Sequence, residues 1–224
     1  MRMLAIIPAR EGSKGVPNKN VRKIAGKPLI EYTINEAKKS KKISRIVVTS
    51  DSDQILKIAN NLGIESIKRP KKYAKDSSPM VDVLVHLLSK KKYSDYESII
   101  LLQPTCPLRT HKDIDLAIEA FFLNNADSLV SVVKVEDCHP ARMYKIESNR
   151  MISILPEYST SNRQDLPVLY LRNGSIYIAK KKIINGGNIW GGNIFPYLMD
   201  KLNSLNIDDL ADFNYAKYLI ETSK

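Results

Sequence analysis

Apolar and polar positions along this chain follow two alternating rhythms. Met3 to Pro8 (MLAIIP) is a short unbroken apolar run, the pattern of a strand buried on both faces. A Gly-, Lys- and Asn-rich stretch runs from Ala9 to Lys27, and Pro28 then opens a helix through about Ser40, a favoured first-turn place for proline. Arg45 to Thr49 (RIVVT) predicts a second strand. Ser52 to Leu62 predicts a helix with Ile55, Ile58, Ala59 and Leu62 on one face, stopped at Gly63. Ile64 to Ile67 is a third strand, Pro79 to about Ser89 a helix, and Ile99 to Leu102 a fourth strand. Thr110-x-x-Asp113 reads as a capping box, with Asp in the place of Glu, starting a helix to about Asn124. Ser128 to Val135 is a fifth strand. Between about Glu136 and Pro167 the period is lost; the stretch is polar and holds Pro140, Pro156 and Pro167, as in an insertion or an arm reaching another subunit. Val168 to Ala179 returns as strand, interrupted at Asn173-Gly174. Asp209 to Glu221 closes as a helix with Phe213, Ala216 and Ile220 inward. Strands alternating with amphipathic helices argue an α/β fold with a parallel sheet covered on both faces. No internal repeat and no second domain boundary is evident, so residues 1–224 read as one domain with an inserted segment at about 136–167.

Composition narrows this picture. The 224 residues are 43% hydrophobic and 26% charged, with 9 Gly and 11 Pro, which excludes collagen-like and wholly disordered chains. No apolar run is long enough to span a bilayer, so no membrane is expected as a partner. The opening MRMLAIIPAREGSKG does not read as a secretory signal, because its apolar stretch is short and runs into charged sequence. Cys106 and Cys138 lie far apart with no metal-ligand spacing, and a reduced, cytoplasmic chain is the simple expectation. The formal net charge of +11 attracts polyanions: nucleic acid, an anionic membrane, or a nucleotide with an acidic sugar. Against a field effect, the lysines gather in Lys38-Lys39, Lys41-Lys42, Lys71-Lys72, Lys90 to Lys92 and Lys180 to Lys182, at predicted helix ends and turns where they stay solvated. With 1 Trp and 4 Phe there is little sign of a base-stacking platform, which speaks against nucleic acid.

Ligands of open α/β sheets bind beyond the carboxyl ends of the strands, so the residues after each strand carry the candidate chemistry. After the first strand, Gly12 and Gly15 let the backbone approach a ligand, and Arg10, Lys14 and Lys19 bring positive charge into the same loop. That combination suits a polyphosphate. It lacks the GK[ST] ending of a Walker A loop and is not GxGxxG; the plain alternative is a solvated basic loop. After the fourth strand, Gln103-Pro104-Thr105-Cys106-Pro107-Leu108-Arg109-Thr110 is a turn stiffened by two prolines, with Gln103 placed to hydrogen-bond a base or sugar, or an ordinary turn before a capped helix. Ser50-Asp51-Ser52-Asp53 is an acidic strand end open to a metal or to capping. Arg163 is a possible bidentate carboxylate clamp or a surface arginine, and Asp208-Asp209 are cap residues or Mg²⁺ ligands. His86, His111 and His139 lie in unlike contexts and form neither a zinc set nor a triad.

Taken in order, LAIIPAREGSKGVPNKN, GKPLIEYTI, RIVVTSD, LLQPTCPLRT, RQDLP, RNGSIYI and NIDDLADF resemble the acylneuraminate cytidylyltransferase family, the CMP-sialic acid or CMP-nonulosonate synthetases, from about residue 4 to 213. The resemblance implies a Rossmann-like nucleotidyltransferase fold with a mostly parallel central sheet, a homodimer with an exchanged arm, and a Mg²⁺-dependent reaction of CTP with a nine-carbon α-keto acid sugar. Carried over by position, Arg10, Gly12, Ser13, Lys19 and Asn20 match the nucleotide-binding loop, with Arg10, Lys19 and Asp208 in catalytic roles. Gln103, Arg163, Gln164, Asn173 and Tyr177 match sugar-binding positions, and Arg142 the residue lent to the neighbouring subunit's site. Asp208 matches the second aspartate of a metal-binding pair whose first position is Asn206 here, which keeps one oxygen ligand and loses a charge. Two other departures stand out. Asp76-Ser77-Ser78-Pro79-Met80 replaces a serine-rich run that contacts the nucleotide, and Ile189-Trp190-Gly191-Gly192 replaces an aromatic pair beside the sugar, leaving the sugar open. The rival readings are a sibling enzyme using another nucleotide or a sugar phosphate such as GTP with a hexose 1-phosphate, a basic nucleic-acid-binding module, and a nucleotide binder without turnover.

Overall fold

The computed structural model describes residues 2–13, 15–75 and 77–222. Lys14 and Asp76, singled out above, lie outside the described residues. In chain order the elements are β1 (Met3–Pro8), a short hairpin of β2 (Lys23–Ile24) and β3 (Lys27–Pro28), α1 (Leu29–Lys39), β4 (Arg45–Ser50), α2 (Asp53–Asn61), β5 (Glu65–Lys68) and α3 (Met80–Leu88). They continue with β6 (Ser98–Leu102), α4 (His111–Leu123), β7 (Ser128–Lys134), a second hairpin of β8 (Tyr144–Glu147) and β9 (Arg150–Ser153), β10 (Tyr170–Lys180), α5 (Lys181–Asn185), β11 (Ile194–Leu198) and α6 (Leu210–Thr222). The elements read from hydrophobic period match the structure to within a residue or two. The Thr110–Asp113 capping box is formed, with Thr110 Oγ1 accepting from the Asp113 N–H and the Asp113 carboxylate accepting from the Thr110 N–H.

Seven strands form one sheet in the order β11-β7-β10-β6-β1-β4-β5. β1 pairs in parallel with β4 and β6, β4 with β5, and β11 with β7, whereas β10 runs antiparallel to both β6 and β7. The sheet is therefore α/β and mostly parallel, with one reversed strand placed among the others. The unbroken apolar run of β1 is explained by the two layers it serves. Met3, Ala5 and Ile7 pack with Ile30 and Ile34 of α1, Ile55 of α2 and Phe121 of α4. Leu4 and Ile6 face the other way, onto Leu84 and Leu87 of α3 and Ile184 of α5. A third, smaller cluster joins Val16 of the loop after β1 to Ile24, Leu29, Ile207 and the Phe213 and Ala216 face of α6.

Six short elements escaped the period. β11 carries Pro196, which its place at the sheet edge tolerates. α5 is a five-residue helix, and the β2–β3 hairpin has two residues a strand. The segment 136–167 is ordered around the β8–β9 hairpin, whose residues are almost all exposed. β10 is interrupted where expected: its register with β7 shifts between Arg172 and Tyr177, with Gly174 at φ +75° inside the bulge.

Candidate active site

The carboxyl ends of β1, β4, β5 and β6 open on one side of the sheet, and there the structure forms a cleft of about 340 Å³ lined by Pro8, Arg10, Ser13, Gly15, Lys19, Asn20, Arg69, Met80, Gln103, Pro104, Thr105 and Asp208. The loop after β1 is set by main-chain and apolar anchors. The Ala9 N–H donates to the Thr49 carbonyl at 3.0 Å, and Asn20 Nδ2 donates to the Arg10 carbonyl at 2.9 Å. Asn18 takes left-handed φ just before the 3-10 turn Lys19–Val21, and the buried Val16 bolts the loop onto Ile207 and α6. Gly15 stands where a Cβ would run into the Asp208 carbonyl oxygen, so only glycine lets the loops carrying Lys19 and Asp208 approach this closely.

Lys19 is 8% exposed and its ammonium donates to the Ile207 carbonyl. Burial pulls its pKa below 10.5, with Arg10 pulling the same way, while Asp208 and Asp212 hold it up. Arg69, which the motif reading did not single out, is 3% exposed; its guanidinium donates to the Thr49 carbonyl at 2.8 Å, and burial lowers its pKa to about 10. The signal it offered is its position directly after β5, at the carboxyl edge of the sheet. Three cations thus face one carboxylate among the described lining residues, which makes the cleft an anion site. The Gln103 turn is held from beneath by the fully buried Arg109, which donates to the carbonyls of Gln103 at 3.3 Å and Ser175 at 2.7 Å and to Thr33 Oγ1 at 2.9 Å. Gln103 Oε1 faces Gly174 in the β10 bulge, 3.6 Å from where a Cβ would stand.

Arg10, Ser13, Lys19, Asn20, Gln103 and Asp208 therefore share one cleft, and Gly12 lies in the same loop with open space around its Cα. Asn206 sits beside them, donating from Nδ2 to Asp208 Oδ2 at 2.7 Å. The remaining expected residues do not line this cleft. Asn173 is buried and its side chain is fully engaged in the bulge: Oδ1 accepts from Ser131 Oγ and the Ser175 N–H, and Nδ2 donates to Ser204 Oγ. Tyr177 is buried with its ring stacked on Trp190, centroids 5.6 Å apart, while Arg172 lies over the same indole at 4.3 Å. Arg163 and Gln164 line a separate hollow of about 430 Å³ at the root of the arm, where Arg163 donates to the Glu136 carbonyl and pairs with Asp137. Arg142 is on the arm, donating to the Ser159 and Ser161 carbonyls. Asp51 accepts from the Glu11 N–H at 3.0 Å, a loop-shaping role.

The chain is 37% identical over 219 residues to N-acylneuraminate cytidylyltransferase of Escherichia coli, spanning 96% of this chain and 51% of that one. It is 36% identical over 235 residues to CMP-N,N'-diacetyllegionaminic acid synthase of Legionella pneumophila, covering 100% of this chain and 98% of that one. It thus spans about half the length of the first relative and nearly all of the second. Its backbone resembles that of CMP:2-keto-3-deoxy-manno-octonic acid synthetase complexed with CTP, with a TM-score of 0.76 at 15% identity over the whole of both chains, a likeness of fold. A cytidylyltransferase family model matches residues 4–219, from β1 through most of α6 and across every loop of the cleft, and the chain belongs to the cytidylyltransferase family.

Proposed function

We propose that this chain transfers the cytidylyl group of CTP to the anomeric hydroxyl of a nonulosonic acid, a nine-carbon α-keto acid sugar, releasing pyrophosphate. The observation that carries this reading is the convergence of Arg10, Lys19 and Arg69 on one cleft at the carboxyl edge of the sheet, beside Asp208 and Gln103. The activities for which the Escherichia coli and Legionella pneumophila relatives are named support the sugar class. The sugar oxygen forms a bond to the α-phosphorus while the bond from that phosphorus to the bridging oxygen of the leaving pyrophosphate breaks. The hydroxyl proton leaves to water as the new bond forms, and no histidine lines the cleft among the described residues. Such transfers depend on positioning and on neutralising phosphate charge. Lys19 and Arg10 steady the phosphates, Arg69 adds a desolvated cation, and Gln103 faces the sugar.

Mg²⁺ belongs to this proposal. Among the described residues no cluster of three His, Cys, Asp or Glu side chains could hold an ion unaided. Asp208 fits as a single carboxylate ligand, in keeping with the habit of Mg²⁺ to take one or two carboxylates plus substrate phosphates and waters. When bound, the ion supplies further charge neutralisation at the phosphates. A homodimer is also part of the reading: the exposed arm offers apolar Tyr144, Ile146, Met151 and Ile152 to a second copy and carries Arg142 toward its site. No helix among the described residues is long and apolar enough to cross a membrane. We place the reaction in the cytoplasm, where two free cysteines remain reduced.

The test is pyrophosphate release with Mg²⁺, crossing CTP, GTP, UTP and ATP with neuraminic, legionaminic and pseudaminic acids and a hexose 1-phosphate. Release with CTP and one nonulosonic acid is expected. Release only with another nucleotide or with the sugar phosphate moves the chain to a sibling activity and removes the basis for Arg163 as a carboxylate clamp.

A further inference from the structure

We infer that Asn206 is a positioning residue for Asp208 rather than a ligand of the ion, and that it takes its own orientation from the buried thiol of Cys106. The inference rests on the reading of Asp208 as the carboxylate that meets the ion and the triphosphate.

The two polar ends of the Asn206 amide face different partners. Nδ2 donates to Asp208 Oδ2 at 2.7 Å, and Oδ1 accepts from Cys106 Sγ at 3.7 Å. Turning the amide over would set its oxygen 2.7 Å from a carboxylate oxygen with no proton between them, so the Asp208 charge decides which end of the amide faces it and the Cys106 thiol holds the other end. The oxygen that a metal-binding aspartate at this place would offer is thus turned away from Asp208. Cys106 is fully buried and its Sγ also lies 3.8 Å from the Asn173 carbonyl, so one S–H is shared between the β10 bulge and the Asn206 amide.

The backbone around this pair is already fixed. The Ile207 N–H donates to the Thr105 carbonyl at 2.8 Å, Lys19 donates to the Ile207 carbonyl, and the Asp208 N–H donates to Asp212 Oδ2 at 2.9 Å. What remains free is the side-chain torsion of Asp208, and the Asn206 N–H fixes it. A carboxylate at 206 would remove that donor and set two negative charges against each other, a repulsion that a bound cation between them relieves. With asparagine the pair carries one charge and is ordered before any ion arrives.

The experiment uses Mn²⁺ as a paramagnetic probe and α,β-methylene-CTP, which cannot be cleaved, so binding is read apart from turnover. Cys106→Ala and Asn206→Ala are each expected to weaken Mn²⁺ in the nucleotide complex by about 10-fold or more, the usual effect of losing an outer-shell partner. Cys106→Ser, which keeps a donor, is expected to recover most of that loss. Unchanged Mn²⁺ affinity in Cys106→Ala would show that the thiol does not orient the amide and would overturn the inference. Thermal melts supply a second readout that needs no nucleotide. Metal-free Asn206→Asp is expected to melt below the wild type and to recover with Mn²⁺ alone; a variant as stable as the wild type without metal overturns the positioning role. Failure of the wild type to bind the CTP analogue sinks the proposed function, and the melts still decide the role of Asn206.

Discussion

Lys19 is asked to stay charged in a place that disfavours charge. Burial draws its pKa down, and the carboxylates of Asp208 and Asp212 only partly offset this. Removing one contact of this kind to a transition state commonly costs about 3 kcal/mol, roughly a hundredfold in rate. Lys19→Ala is therefore expected to fold normally by circular dichroism and to lose about that factor in pyrophosphate release; a folded variant with near-normal rate would end the assignment. The pH dependence runs in two directions. In the unfolded chain the lysine binds its proton more tightly, so between the lowered native value and 10.5 the unfolded state holds more protons and this residue adds stability as pH rises. Activity falls over the same window, because the cation is lost from the cleft. Urea melts and rates measured across that range in wild type and Lys19→Ala separate the two, since the variant lacks the rise in stability. Arg10, Lys19 and Gln103 were legible from sequence because each follows the carboxyl end of a strongly apolar strand. Arg69 follows β5, a four-residue strand with no buried position, and the Cys106–Asn206 contact joins residues 100 positions apart.

Elements were legible in proportion to how strongly burial patterned them. β1 and β6 are wholly buried and read as unbroken apolar runs. The β8–β9 hairpin has no buried face within one chain, so it carries no period, and its two-residue turn, Ser148-Asn149, takes positive φ at both positions without glycine. An isolated two-stranded hairpin is at best marginally stable in water. Ile146 and Met151, 77% and 68% exposed, are cross-strand partners and so lie on one face of the hairpin. If that face is the seat of the proposed dimer, Ile146→Asp with Met151→Asp leaves the seven-stranded sheet intact and converts the protein to a monomer in sedimentation velocity. A double variant that sediments as the wild type does removes the arm from the interface.

The net charge of +11 acquires meaning only when it is mapped on the sheet. Four of the five lysine clusters sit at the edge opposite the cleft. Lys41 and Lys42 precede β4, Lys90 to Lys92 precede β6, and Lys180 to Lys182 end the reversed strand β10, whose Lys180 lies across from Ser98 at the start of β6. Several are paired there: Lys39 with Glu36, Lys42 with Glu119, Lys92 with Glu65, and Lys180 and Lys182 with Asp127. A strand of this length spans roughly 17–20 Å, beyond the Debye length of about 10 Å at about 0.1 M salt. The far-edge lysines are therefore screened from an anion entering the cleft, and steering falls to Arg10, Lys19, Arg69 and the Lys71-Lys72 pair that follows β5 on the cleft side. This gives opposite expectations for equal changes in net charge. From about 0.1 M NaCl upward, Lys90→Gln with Lys182→Gln leaves kcat/KM for CTP and its decline with added salt as in the wild type. Over the same range Lys71→Gln with Lys72→Gln lowers kcat/KM and flattens that decline, with kcat little changed. Equal effects of the two double variants on the salt dependence would mean that the whole-molecule charge, not its placement, draws the nucleotide in.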